Sequence, residues 1–215
     1  MNDNDDKVRT QANRLLNRIL ERCWEWRLGI TTRGYNAADK LGLRDDGLDY
    51  SPVPFRAFFR AMDHVPKDLL TGTFLDYGAG KGRSLVLAAR YYKFRRVVGV
   101  EMSAELCGQA THNLKRVAAG QAEIICCDAA TYEPPSDTTV FFLYNPFLGE
   151  TMKAVVQNVR KSLAESPRGA AIVVVNARNF REATAGQDWF TEWAAGKTLS
   201  PPLNWQVFVA RSERC

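Results

Sequence analysis

Three glycines at alternate positions, Gly78, Gly80 and Gly82, follow the acidic Asp76 in the segment Phe74-Leu75-Asp76-Tyr77-Gly78-Ala79-Gly80-Lys81-Gly82-Arg83. An apolar run that ends in such a turn and continues into a helix is the unit that brings a nucleotide-like ligand to the carboxyl edge of a sheet. Glycine is needed there where the backbone takes positive φ or lets a ligand touch the chain, and the helix that follows aims free N–H groups at it. The dinucleotide fingerprint would have its third glycine at position 83, which is Arg83. A carboxylate two residues before the first glycine also repels a pyrophosphate and suits a ligand carrying an ammonium or sulfonium. Two further acids close the next two predicted strands. Glu101, after Val98-Gly99-Val100, can accept two hydrogen bonds from a ribose diol, and Asp128, in Cys127-Asp128-Ala129, can accept from an exocyclic amine. Together the three acids and the glycine turn describe a pocket for a cationic adenosine derivative.

The elements that must position these residues follow from periodicity. From Thr73 onward the chain alternates apolar runs with amphipathic stretches. Strands are predicted at Thr73–Tyr77, Val97–Glu101, Ala122–Cys127, Thr139–Asn145, Ala170–Asn176 and Trp205–Ala210, the last one antiparallel. Helices are predicted at about Arg83–Tyr92, Ala104–Ala118, Thr151–Leu163 and Phe180–Trp193. Runs such as Ile172-Val173-Val174-Val175 lack polar alternation, as central strands covered on both faces should. The fold class is α/β: a doubly wound, mainly parallel sheet with helices on both faces. Ahead of it, Val8, Ala12, Leu15, Leu16, Ile19, Leu20, Cys23 and Trp24 mark one face of an N-terminal helix. Glycine-rich Gly29–Asp49 reads as a loop or lid, and Ser51-Pro52-Val53-Pro54 starts a second helix, with Ser51 as its cap. Residues 1–65 are therefore expected to form a helical extension and lid, and 66–215 the ligand-binding domain. Removal of residues 1–30 is expected to leave a folded core.

Composition narrows the class. The 215 residues carry 29 Lys plus Arg against 24 Asp plus Glu, a net charge of +5, with 46% hydrophobic and 25% charged residues. That is a globular chain with its own core, neither disordered nor a disulfide scaffold. No apolar run approaches membrane-spanning length, and the acidic start is unlike a signal peptide, so a cytoplasmic protein without membrane contact is expected. The five cysteines form no C-x-x-C pair, and His64 and His112 stand apart, so no metal site is expected. The basic balance permits a nucleic-acid partner without requiring one.

Residues 73 to about 211 resemble the class I S-adenosylmethionine-dependent methyltransferases, strand by strand. The resemblance implies a seven-stranded Rossmann-like sheet and S-adenosylmethionine as cofactor. It implies that Asp76, Gly78, Gly80 and Gly82 hold the methionine end, Glu101 the ribose and Asp128 the adenine amine. Leu143-Tyr144-Asn145-Pro146-Phe147 is similar to the Asn-Pro-Pro-Tyr/Phe motif of methyltransferases acting on planar or amide nitrogens, although one proline is missing. That implies a catalytic role for Asn145, Pro146 and Phe147. A turn in which Asn145 merely caps the helix near Gly149 is the alternative. Tyr50-Ser51-Pro52-Val53-Pro54 is similar to the aromatic-then-proline segment ahead of the glycine motif in some class I protein lysine methyltransferases, which puts Tyr50 and Arg33 at the cofactor or substrate. The implied function is N-methylation of a protein side chain or a small-molecule amine. Methylation of an RNA or DNA base, or a non-catalytic cofactor-binding adaptor, are the alternatives. The chain is a monomer or homodimer, with the N-terminal helix either a lid or a partner surface.

Overall fold

The computed structural model describes residues 3–41, 46–117, 120–177, 179–199 and 201–210, and only the backbone of 3–14, 39 and 40. The side chains of Val8 and Ala12, together with Ala118 and Cys215, lie outside the described residues.

Seven strands build one sheet: β1 (Thr73–Tyr77), β2 (Arg96–Glu101), β3 (Ala122–Cys126), β4 (Thr138–Tyr144), β5 (Ala170–Val175), β6 (Thr191–Lys197) and β7 (Asn204–Ala210). Their order is β3-β2-β1-β4-β5-β7-β6, with β1 to β5 parallel and β7 antiparallel to both its neighbours. The chain leaves β1 toward β2 and β3 on one side, then returns to β4 on the other. The crevice at that reversal lies beyond the carboxyl ends of β1 and β4, where a ligand belongs.

The helices are α1 (Asp3–Leu28), α2 (Phe55–Met62), α3 (Arg83–Tyr91), α4 (Ala104–Val117), α5 (Gly149–Glu165) and α6 (Phe180–Ala183). Strand alternation sorts the core into two layers. Phe74, Val97, Val140, Phe142 and Val173 pack against α2 and α3, and Leu75, Val98, Phe141, Leu143 and Ile172 pack against α5. Phe58 of α2 is fully buried among Phe74, Phe142 and Tyr92.

Three expectations change. The helix over Phe180–Trp193 stops at Ala183, and Thr191–Lys197 is an edge strand. Gly186 takes positive φ and breaks the helix, while the Phe190 ring packs on Phe180 and Phe208 and meets the Trp189 ring edge-on. Second, the cap residue of α2 is Pro54, not Ser51, and Pro54 provides no side-chain cap. The N–H of Phe55 donates instead to Glu21 of α1. Third, α1 docks with its C-terminal half, through Trp24, Glu25 and Leu28, while Leu15, Leu16 and Ile19 are exposed. The lid segment is a loop, as read, that among the described residues includes the 3-10 turn Ala38–Leu41, and Asn36 bridges to Tyr50. No helix among the described residues is long and apolar enough to cross a membrane.

Candidate functional site

A cleft of about 860 Å3 opens at the carboxyl ends of β1, β2 and β4. Asp76, Gly78, Glu101, Asp128, Asn145, Pro146, Phe147 and Tyr50 all line it. The order of strands explains why residues up to a hundred positions apart meet there. At its floor Asp76 is 3% exposed; one carboxylate oxygen accepts from the Ser84 hydroxyl, and the other, Oδ1, has no partner. Burial pushes its pKa up, the Ser84 hydrogen bond opposes that, and the charge of Glu101 adds to it, leaving a value of about 7. Glu101 is also raised by burial, although the N–H groups of Ser103 and Gly80, each at 2.9 Å, favour its charged form. Asp128 accepts from Ala130 N–H at 2.9 Å and so starts a 3-10 turn under the cleft.

The glycine turn is not an anion cradle. The N–H groups of Gly78 and Ala79 both donate to Val100 C=O, Gly80 N–H to Glu101, and Gly82 N–H to Ala79 C=O. With those four donors committed within the protein, the turn presents little positive potential, in keeping with a ligand that is itself cationic. Gly78 and Ala79 face the cleft. Gly80 is covered by the Tyr50 ring, which would meet an added Cβ at 2.3 Å, and Gly82 packs on Ala110 of α4.

Beyond β4 the backbone of Asn145 turns through φ of 43°, a conformation asparagine tolerates better than most side chains. Its N–H donates to Val175 C=O, and its Oδ1 is buried with no partner. It is therefore no helix cap. That task falls to Asp46, whose carboxylate accepts from Thr151 N–H at 2.9 Å in the first turn of α5. Gly47 bridges to Phe147, so the lid is hydrogen-bonded to the turn that carries Asn145.

A family model described as a methyltransferase domain matches residues 74–169. Solved structures with the same fold include an RNA methyltransferase from Salinibacter ruber in complex with S-adenosylhomocysteine, at 22% identity and a TM-score of 0.55 over 77% of this chain and 97% of that one. An O-methyltransferase from Bacillus cereus, also with S-adenosylhomocysteine, shares 18% identity at a TM-score of 0.56, over 75% and 82% of the two chains. The chain holds a class I, Rossmann-like S-adenosylmethionine-dependent methyltransferase domain. A geranyl diphosphate C-methyltransferase from Streptomyces coelicolor is similar as well, with 15% identity and a TM-score of 0.55 over 73% and 78% of the chains. No curated protein matches by sequence. The three structures share a fold with this methyltransferase and differ from one another in acceptor.

What the sequence reading of this methyltransferase did not single out is the fastening of its cap. Arg83 is 2% exposed. Its guanidinium donates to Glu21, to Glu25 at 3.0 Å, to the Thr32 hydroxyl at 2.7 Å and to Val53 C=O at 2.9 Å, and it lies over the Phe55 ring. Burial raises the pKa of Glu25, but hydrogen bonds from Thr32 and Arg33 and the charge of Arg83 bring it below the ordinary value. Arg83 thus ties α1, the lid and α2 to the first residue of α3. The signal was the arginine itself, standing where the dinucleotide fingerprint would have glycine. Tyr50 donates from its hydroxyl to Thr32 C=O at 2.6 Å and holds Lys81 over its ring. Arg33 is paired with Glu25 and lies outside the cleft that Tyr50 lines. Ser84 and Thr151, also missed, are a hydroxyl at the cleft floor and an unpartnered hydroxyl at its acceptor side.

Proposed function

We propose that this methyltransferase transfers its methyl group to an amine nitrogen, on a protein side chain or a small molecule. The observation that carries the proposal is Asn145 Oδ1, a buried acceptor with no partner among the described residues, in the same cleft as the unpartnered Oδ1 of Asp76. Buried polar atoms are nearly always hydrogen-bonded, so three orphans in one cleft, Thr151 Oγ1 being the third, are positions where ligands complete the set.

The residues fit the cofactor. Asp76 and Gly78 would face its charged methionine end, with Gly80 and Gly82 shaping the turn; Glu101 would take the ribose hydroxyls, Asp128 the adenine amine, and Tyr50 would close the side. When bound, S-adenosylmethionine supplies a methyl group on a positively charged sulfur, whose transfer is an in-line displacement. For such a step most of the catalysis lies in alignment. Asn145 Oδ1 and the Pro146 carbonyl would accept N–H bonds and so direct the nitrogen lone pair, and Phe147 would pack against the acceptor. The charge of the cleft supports an amine. Among the described residues that line it are Asp46, Asp49, Asp76, Glu101 and Asp128, while the cationic side chain among them, Arg83, is neutralised by Glu21 and Glu25. An ammonium is drawn to such a site, and because the carboxylates favour its charged form, its proton must pass to one of them or to solvent before the nitrogen lone pair can attack.

Calorimetric titration with S-adenosylmethionine and S-adenosylhomocysteine comes first, followed by incubation of a cell extract with labelled donor. Label recovered on amine nitrogen supports the proposal, and label confined to oxygen, carbon or nucleic-acid bases overturns it.

A further inference from the structure

A second cleft, of about 1530 Å3, opens on the other side of Ser51, Pro52 and Arg83, the three residues it shares with the methyl-transfer cleft. Its walls are α1 and the first turn of α2. Arg18, Arg22 and Arg56 line it and are exposed, and among the described residues no ion pair engages any of the three. The other charges there are already committed: Glu21 to Arg83 and Phe55 N–H, and Arg33 and Arg83 to Glu25. The sign of charge therefore reverses across the Ser51-Pro52 wall, from the carboxylates of the methyl-transfer cleft to three guanidinium groups without partners.

We infer that this second cleft binds an acidic peptide segment, whose amine reaches the methyl-transfer cleft while flanking carboxylates sit on Arg18, Arg22 and Arg56. The inference rests on the amine reading above and names the class of acceptor. Arginine suits the role because its planar fork meets a carboxylate with two parallel hydrogen bonds. A peptide can alternate in charge to match the reversal. A nucleic acid would carry its phosphates along with the target base toward Asp46 and Asp49.

The test uses the full chain saturated with S-adenosylhomocysteine. Fluorescence anisotropy compares three labelled probes: a peptide with one lysine flanked by glutamates, the same peptide with glutamines, and a single-stranded oligonucleotide. Three exposed pairs at the modest strength of surface ion pairs give the acidic peptide an advantage of about tenfold. The variant R18Q/R22Q/R56Q should lose that advantage while binding S-adenosylhomocysteine as the parent does, which also shows that it folds. Equal affinity for the two peptides, a preference that survives the triple substitution, or displacement of the acidic peptide by the oligonucleotide overturns the inference. Mass spectrometry with S-adenosylmethionine separates two failures. Lysine methylation without acidic preference defeats the second cleft alone, and tight binding with no methylated lysine defeats the amine reading beneath it.

Discussion

Gly78 and Pro146 pack in direct contact: a Cβ on Gly78, whose φ is 80°, would lie 2.7 Å from Cβ of Pro146. The turn after β1, at the cofactor side, and the turn after β4, at the acceptor side, are thus one packing unit. Displacing either moves the other.

Gly78→Ala should therefore act on catalysis more than on folding. The positive φ alone costs on the order of 1 kcal/mol, and a ring-bound carbon beside the new methyl cannot yield as a flexible side chain would. We expect a small fall in melting temperature and a much larger fall in kcat/KM. Parent-level kcat/KM would show that the contact does not position the Asn145 turn.

Asn145→Gly separates the amide from the backbone. Glycine accepts φ of 43° without strain, so the turn should persist and S-adenosylhomocysteine should bind with nearly parental affinity. Turnover should fall at least about a hundredfold, the order of loss when a positioning contact to a reacting group is removed. Retained turnover would reduce Asn145 to a turn residue.

The distribution of what was legible in the sequence has a physical cause. The sheet, its parallel centre and the residues Asp76, Glu101, Asp128 and Asn145 could be read because each signal is local: an unbroken apolar run, a glycine turn, an acid at a strand end. The fastening of the cap could not. Glu21 pairs with Arg83 and caps Phe55 across gaps of 62 and 34 residues, and Asp46 reaches Thr151 across 105. No period or spacing encodes contacts of that kind. Edge strand β6 was not read as a strand, and its first three residues fell in the predicted helix, because with most of its residues exposed Thr191–Lys197 shows little of the alternation that marks a strand.

Glu101→Ala should do two kinds of damage. It removes charge-assisted acceptors for the ribose hydroxyls, worth more than about 1 kcal/mol of cofactor affinity. It also leaves the N–H groups of Gly80 and Ser103 without their partner in a buried turn. Titration with S-adenosylhomocysteine and thermal melting should both register the loss, and Glu101→Gln, which keeps an acceptor oxygen, should recover part of the stability. Unchanged cofactor affinity in the alanine variant would place the ribose elsewhere.

Deleting residues 1–30 should destabilise the core, contrary to the reading of that segment as a removable appendage. The deletion takes away Glu21 and Glu25 and strands a guanidinium that is 2% exposed, and breaking a buried pair in this way costs about 3–5 kcal/mol. Trp24 is lost from the Phe55 and Phe59 rings as well. Arg83→Met within the truncated chain removes the unpaired charge and should restore part of the stability. A truncated chain that melts with the parent would mean that solvent reaches Arg83 freely.

Asp76 sets stability against cofactor binding, and pH exposes the conflict. Its pKa is about 7 in the folded protein and about 4 in an unfolded chain. Between those values the folded state holds a proton that the unfolded state has released. The contribution of this group to stability is therefore full below pH 4 and is lost as pH rises through 7. A sulfonium needs the opposite form, the carboxylate, so affinity for S-adenosylmethionine should climb from pH 6 to pH 8 with a midpoint near 7. S-adenosylhomocysteine, which lacks that charge, should follow the same pH change more weakly. Asp76→Asn removes the ionisation: the ligand-free protein should melt higher than the parent at pH 8, bind S-adenosylmethionine more weakly, and lose the pH dependence of both quantities. Calorimetry and melting curves at pH 6, 7 and 8 on parent and variant measure this directly. A parent whose affinity is flat across that range would mean that Asp76 is ionised throughout and that its unpartnered oxygen does not face the charged end of the cofactor.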